Sequence, residues 1–586
     1  MSAQLRPSFG ANVVDRQRTR FRIWAPAQKA IALAVEGKPR LAMEQSGGGW
    51  FEVEADCGAE ARYRYILQDG TAIPDPASRA QDGDVHGPSI VVDPSSYHWR
   101  NLQWRGRPWH ETVLYELHVG VLGGYHGVTH ELGRLAELGV TAIELMPIAE
   151  FPGARNWGYD GALPYAPECS YGTPDDLRGL IDTAHGHGLM VFLDVVYNHF
   201  GPDGNYLPTL APDMFRDDIA TPWGPAIDFR VKDVRRFFTE NALYWLLDYR
   251  FDGLRFDAVH AISEPAWLDE MAAEIRRTVD PGRHVHLVLE NDNNEAAHLA
   301  RGFDAQWNDD GHHVLHVLLT GETEGYYGDY VDAPAARLAR CLKEGFVFQG
   351  EPSAHRGGRP RGTKSAALPP AAFVFFLQNH DQVGNRAFGE RLTKLADPQP
   401  LEAAAALQLL APQIPLIFMG EEAASEAAFL FFTDHKENLA NAVREGRRRE
   451  FSSFSQFSDP KLLAQLSDPN AIETFAQSRP SPQPERAVAR TRLYAQLLAI
   501  RRAEIMPRLS GARALDAMPL GPAGAVAQWR MGDRSRLTIA CNLGSTGVQM
   551  PPPPGRVLFA TSPAATEWAV AGHLPGYSTI AVLDST

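Results

Sequence analysis

Three acids follow short apolar runs in the second half of the chain's central region. Asp257 ends Gly253-Leu-Arg-Phe-Asp, Glu290 ends His286-Leu-Val-Leu-Glu, and Asp381 comes soon after Phe373-Val-Phe-Phe-Leu377. In an extended run, Arg255 and Asp257 share one face while Leu254, Phe256 and Ala258 share the other. An Arg and an Asp two residues apart on a buried face form either a core salt bridge or a carboxylate kept ionised by a guanidinium for nucleophilic work. Glu290 has the opposite setting, because its apolar approach favours the protonated form. An ionised and a protonated carboxyl flanking one bond is what glycoside hydrolysis requires, and a retaining enzyme needs them roughly 5 to 5.5 Å apart. Asp381 suits a third role, gripping sugar hydroxyls while the ring distorts. Trp157, Tyr159, Tyr206, Trp223, Trp307 and Phe388 supply aromatic faces for sugars. Singly each reads as core, and Trp157 and Tyr159 are the two expected to contact substrate.

Such groups converge only if the elements carrying them do. Eight strand-like runs occur in order: 113–117, 141–145, 190–194, 253–257, 286–290, 303–307, 373–377 and 415–419. Helical patterns separate most of them, as in Val128–Leu138, where Gly139 suits the C-cap. Alternation of this kind predicts a central (β/α)8 TIM barrel, whose strand ends build the active site. Here those ends carry Asp194, Asp257, Glu290, His380 and Asp381. The barrel is expected over 106–509, with insertions at 321–363 and 423–484 that shape the substrate site. Residues 1–105 read as an N-terminal β-sandwich and 510–586 as a C-terminal antiparallel β-domain. Arg447-Arg448-Arg449 reads as a solvated helix face.

The 586 residues are 44% hydrophobic and 22% charged, an ordinary globular balance. A net charge of -15 argues against nucleic acid as a partner. The most apolar stretch, 401–420, is broken by Pro412 and Pro415 and does not read as a membrane span. Four scattered cysteines show neither metal spacing nor a disulfide framework, and Met1–Gly10 lacks the apolar core of a signal peptide. The expectation is a cytoplasmic protein that needs no metal or other cofactor.

Four segments resemble the sequence regions of the α-amylase superfamily: Asp194-Val-Val-Tyr-Asn-His199, Gly253-Leu-Arg-Phe-Asp257, Leu289-Glu-Asn291 and Gln378-Asn-His-Asp381. The resemblance implies that Asp257 is the nucleophile, Glu290 the general acid/base and Asp381 the transition-state stabiliser. It assigns Asn198, His199, Arg255 and His380 to the subsite at the cleaved bond. The segment Phe21-Arg-Ile-Trp-Ala-Pro26 resembles the N-terminal sandwich of glycogen branching and debranching enzymes. Further segments resemble the maltooligosyltrehalose trehalohydrolases: 143–151, 156–161, 198–206, 324–327, 381–386 and 432–435. That family implies hydrolysis of the α-1,4 bond next to a terminal trehalose unit, in a cytoplasmic enzyme coupled to a maltooligosyltrehalose synthase, with maltodextrin oligosaccharides as substrate and product. One stretch departs from the family pattern. Ala423 stands where an aromatic residue commonly follows Gly-Glu-Glu, and Ala427-Ala428 replace a Thr-Pro pair. The nearest alternative is a glycogen branching enzyme, which usually carries an acid after the His-Asp pair where this chain has Gln382. A debranching enzyme comes third, and a non-catalytic carbohydrate-binding protein further behind, since such proteins typically lose triad carboxylates and all three are present here.

Overall fold

The computed structural model describes residues 7–221, 224–452 and 460–585. Eight parallel strands close into a barrel: Leu114–Leu117, Ala142–Leu145, Met190–Val195, Gly253–Phe256, His286–Leu289, Ala305–Trp307, Phe373–Phe375 and Ile414–Phe418. The last strand pairs with the first, Leu416 opposite Leu114. Every strand is buried along its whole length, which is why each reads as an apolar run rather than an alternating one. Leu114, Met190, Phe192, Val288, Trp307 and Phe376 fill the barrel interior. Gly253 starts strand four because the Phe192 ring occupies the space a side chain would need; a Cβ there would lie 2.2 Å from Phe192 Cε1. The helix between strands one and two spans Gly124–Leu138 and ends at Gly139 with φ 106°, the left-handed cap expected from sequence.

Two antiparallel sheets precede the barrel. One is built on Arg18–Trp24 and Trp50–Ala55, the other on Ala32–Val35 and Arg62–Ile66. They bear on the barrel through Phe9, edge-on to Phe237 at 5.1 Å, and through Gln28, which donates to Thr209 O. After the barrel, five antiparallel strands form a sheet whose centre pairs Arg536–Asn542 with Gly524–Arg530 and Ser578–Asp584. Thr579 ties it to the barrel through a hydrogen bond to Ala403 O.

The second insertion and the hairpin of the first reach the C-terminal rim, while the helix of the first packs on the C-terminal sheet, where Lys343 pairs with Asp516. The first carries the helix Pro334–Glu344 and the hairpin Glu351–Ser353/Arg359–Arg361. The second carries the helix Glu437–Ser452. The arginine run on that helix corrects the solvated-face expectation at one position. Arg448 and Arg449 face solvent, but Arg447 is tucked in, its guanidinium over Phe431 at 5.1 Å and Phe451 at 4.7 Å. Its aliphatic stem and flat head cover aromatic rings that would otherwise be exposed. All four cysteines are free thiols. Among the described residues, no helix is long and apolar enough to cross a membrane.

Candidate active site

Arg255 is the hub of the site. It projects inward from strand four, fully buried, with its guanidinium 4.3 Å above the Trp307 ring. Nη1 donates to Asp194 Oδ2 at 2.7 Å and to Asp257 Oδ1 at 2.9 Å, and Nη2 donates to Glu290 Oε2 at 2.9 Å. One planar fork therefore holds the carboxyls from the ends of strands three, four and five. Asn198 fixes Asp257 from the other side, its Nδ2 donating to Asp257 Oδ2 at 2.8 Å and to the backbone O at 2.9 Å. His199 bonds Asn198 Oδ1 through Nδ1 and Tyr159 O through Nε2. Burial pulls the His199 imidazole below its usual range. Asp257 itself is 8% exposed, and its two accepted contacts leave one side towards the cleft.

Glu290 is tied down differently. Besides Arg255 it accepts from Ala258 N at 2.7 Å, and Ala258 reaches it from a left-handed conformation with φ 41°. A non-glycine residue held there costs conformational energy, and it directly follows Asp257. Burial pushes the Glu290 carboxyl well above the usual carboxylate range. Arg255 opposes that rise, and Asp257, Asp381 and Asp309 add to it. Asp381 shows the reverse. Burial would raise it, but the adjacent His380, together with Arg255 and Asn385, outweighs burial and holds it below the ordinary aspartate value. His380 is pinned by Glu116, which accepts from both its backbone N and its Nδ1. Burial would lower the His380 ring, yet Asp381 and Glu116 together hold it far above the usual imidazole value, as a cation. Asp194, buried beneath, is raised to about 6.

Tyr159 joins the two halves. Its hydroxyl donates to Asp194 Oδ2 at 2.7 Å and meets His380 Nε2 at 2.8 Å, and its ring stacks on His380. Trp157 is placed otherwise than expected of a sugar platform. It is 3% exposed, stacks on Phe429, and donates Nε1 to Leu430 O. Gly384 packs so close that a Cβ would meet Trp157 Cζ2 at 2.0 Å. Trp157 is thus a wall behind Tyr159 and His380 rather than an open face. Trp307 lies under Arg255, Tyr206 bonds His86, and Trp223 lies outside the described residues. The loop bearing Trp157 and Tyr159 is braced by the second insertion: Arg155 pairs with Asp434, and His435 reaches Asp160 at 3.3 Å.

Three residues at this rim carry no role in the sequence reading. Glu116 orients His380. Asp309, after strand six, lines a cleft with Glu290 and Asp381. Arg356, on the first insertion, donates to Asp292 O and Asn293 Oδ1 behind Glu290. Of these only Asp309 left a signal, an acid two residues past an apolar strand like the others. Elsewhere, Glu150, Glu168 and Cys169 bring three potential metal ligands within 4.8 Å of one another. Hydrogen bonds from Phe151 N, Ser170 N, Cys169 N and Cys169 Sγ already engage both carboxylates.

Residues 79–210 match the model of the α-amylase catalytic domain, and 512–580 match a domain of unknown function, DUF3459. A malto-oligosyltrehalose trehalohydrolase of Deinococcus radiodurans is 43% identical over 83% of this chain and 81% of its own length. One from Saccharolobus solfataricus is 40% identical over 79% of this chain and 84% of its own. The chain belongs to the malto-oligosyltrehalose trehalohydrolase family. A crystal structure described as a putative α-amylase of Salmonella typhimurium, 44% identical, covers 99% of this chain and 100% of that one, with a TM-score of 0.93. By contrast, a 1,4-α-glucan branching enzyme of Jannaschia is 33% identical over only 44% of this chain.

Proposed function

We propose that this protein hydrolyses the α-1,4-glucosidic bond beside the terminal trehalose unit of maltooligosyltrehalose, releasing trehalose and a maltooligosaccharide with retained configuration. The observation that carries the mechanism is the sharing of Arg255 between Asp257 and Glu290. Both carboxyls sit within the span of one guanidinium, with the Glu290 proton held by burial. In this reading Glu290 protonates the glycosidic oxygen while Asp257 attacks C1 and forms a β-glycosyl-enzyme. Trehalose departs, water enters, and Glu290, now a carboxylate, takes its proton as the water attacks C1. The C1–Asp257 bond breaks and the new hemiacetal is α again.

The surrounding groups fit supporting roles. Asn198 holds the Asp257 oxygen that Arg255 does not, which fixes the direction of attack. The Asp381 carboxylate and the His380 cation are placed to bind hydroxyls of the distorted ring and to answer charge at the anomeric carbon. Tyr159 is the substrate-facing aromatic at the cleaved bond, with Trp157 supporting it. We extend the proposal to the domain limits 1–105, 106–509 and 510–586, to a cytoplasmic location, and to a place after a maltooligosyltrehalose synthase. Maltodextrins are the expected oligosaccharide partners.

The test is a product assay on maltotriosyl-trehalose, with maltopentaose and amylose as controls. Trehalose from the first substrate, with little cleavage of the others, is the expected result. New α-1,6 branches on amylose without free trehalose would move the function to glucan branching, with the same barrel and acids. Full activity in the presence of a chelator is also expected.

A further inference from the structure

The cleft beside the acids has two unlike sides. Asp257, Asn198, His199 and Tyr159 stand on one. Glu290 stands on the other, next to Asp309 and the first insertion, around a cavity of about 260 Å³. A general acid must face the oxygen of the leaving group, so the cavity on the Glu290 side receives the departing sugar. Tyr326, Ser353, His355 and Arg356 close its far wall. They are held there by buried contacts: Ser353 Oγ donates to Asp329 Oδ2 at 2.5 Å, and Arg361 Nη1 donates to Tyr330 Oη at 2.6 Å. Arg361 also pairs with Asp292 and Asp310, so the hairpin is locked to the segment after Glu290. A bay with a fixed back wall suits a short leaving group that turns back on itself. A 1,1-linked disaccharide does so, whereas a 1,4-linked glucan runs on.

Asp309 is the polar group at the base of this bay. It opens the helix Asp309–Thr320 directly after strand six, lies half-buried, and among the described residues its side chain accepts a hydrogen bond only from Gln382 Nε2, at 3.4 Å. The charged neighbours facing it are Asp292, Arg361, Asp381, Asp310 and Glu290. We propose that Asp309 is a specificity-determining residue, its carboxyl hydrogen-bonding the hydroxyls of the departing trehalose. Burial, with Asp292 and Asp381 adding to it, pushes its carboxyl up to about 7. Near neutrality it thus serves as both donor and acceptor towards sugar hydroxyls. This inference rests on the hydrolytic function proposed above.

The experiment compares wild type, Asp309→Asn and Asp309→Ala on maltotriosyl-trehalose, maltopentaose and α-maltotriosyl fluoride. The fluoride keeps the sugar that is attacked but has no leaving sugar to bind. Asp309→Ala is expected to lower kcat/KM on maltotriosyl-trehalose by about 10- to 100-fold. It should leave the fluoride within about 3-fold and so shrink the preference for maltotriosyl-trehalose over maltopentaose. Asp309→Asn, which keeps hydrogen-bonding capacity, should lose less. Equal loss on the fluoride and on maltotriosyl-trehalose in both variants overturns the proposal, as does no loss on either. Matching circular dichroism and melting temperature separate a folding defect from a binding one in Asp309→Ala, and Asp309→Asn carries the test if the alanine variant fails to fold. If wild type itself yields no trehalose, the hydrolytic function falls first. If wild type yields it and Asp309→Ala is unchanged, only the role of Asp309 falls.

Discussion

Strand four carries an aspartate at each mouth of the barrel, and the two are built for different ends. Asp252, just before the strand, is completely buried. It accepts from His185 Nε2 at 2.9 Å, Val191 N at 3.0 Å and Trp104 Nε1 at 2.8 Å. Burial would raise its carboxyl, but His185, Arg283 and the Val191 N–H together outweigh burial and hold it below the usual range. Asp257, just after the strand, shares its cation with Asp194 and Glu290 and keeps one side towards the cleft. Five residues apart at the two ends of one strand, the same side chain is a closed structural joint at the bottom and the proposed nucleophile at the top. The difference lies in what is left over. Every bond at Asp252 ties the start of strand four to its surroundings, to Val191 on strand three, to His185 on the helix Pro174–Gly186 and to Trp104 before the barrel, whereas the partners of Asp257 orient it and leave it a free face.

The sharpest way to break this contrast is to change both to asparagine. Asp257→Asn should lower kcat on maltotriosyl-trehalose by on the order of 10⁴-fold while the melting temperature moves by no more than about 2 °C. Asp252→Asn should do the reverse, keeping kcat at 25 °C but destabilising the fold by about 3 kcal/mol, because His185 loses its buried partner. Chemical denaturation beside steady-state kinetics reads both. A fold as sensitive to Asp257→Asn as to Asp252→Asn would erase the distinction.

Next in size is Arg255→Lys. A single ammonium cannot hold three carboxyls in the plane that the guanidinium imposes, and kcat should fall by about 10²-fold with a smaller change in KM. Saturation kinetics decide this one.

The two mouths should also differ in the sign of their pH dependence. The depressed Asp252 carboxyl contributes stability that is present above the unfolded value of about 3.9 and is lost as pH falls through its lower folded value. Glu290 is raised, so the folded chain keeps a proton that the unfolded chain releases. Its contribution therefore favours folding below the unfolded value of about 4.3 and weakens as pH rises towards the folded value. Melting temperatures across pH should show Glu290→Gln gaining on wild type at alkaline pH, and Asp252→Asn approaching wild type at acid pH. In kinetics, the alkaline limb of kcat/KM should follow loss of the Glu290 proton.

Smallest of all should be Glu144→Gln. Glu144 points into the barrel with neither carboxyl oxygen paired among the described residues, and burial with Glu116 and Asp194 nearby holds it well above the usual range. A neutral amide replaces a neutral acid, so kcat should change by less than about 3-fold and stability by less than about 1 kcal/mol. Glu116→Gln, which loosens His380, is the control that should cost more.

Much of this was legible in the sequence, because buried parallel strands write themselves as apolar runs and the residues of the candidate site sit where those runs stop. All eight strands lie within about two residues of their expected places, and the inward face shared by Arg255 and Asp257 followed from the two-residue period. Partnership across long separations was not legible. Nothing near Arg356 shows that it will brace Asp292, 64 residues away. Trp157 and Tyr159 lie two apart in a loop without strand periodicity, so their sequence cannot say which faces the cleft and which is stacked beneath. Arg447 has the same sequence surroundings as Arg448 and Arg449, and only the fold brings Phe431 and Phe451 against its guanidinium.

The closed barrel also sets a clock. Strand one cannot complete its pairing until strand eight arrives, about 300 residues later in the chain. At roughly 5 to 20 residues per second, the ribosome takes on the order of 15 to 60 s to deliver it. Through that interval the edge of Leu114–Leu117 waits with its backbone groups unmatched, while the N-terminal sheets are already free of the exit tunnel. Until strand eight docks, the nascent barrel keeps an open strand edge, the state most exposed to pairing with the wrong chain.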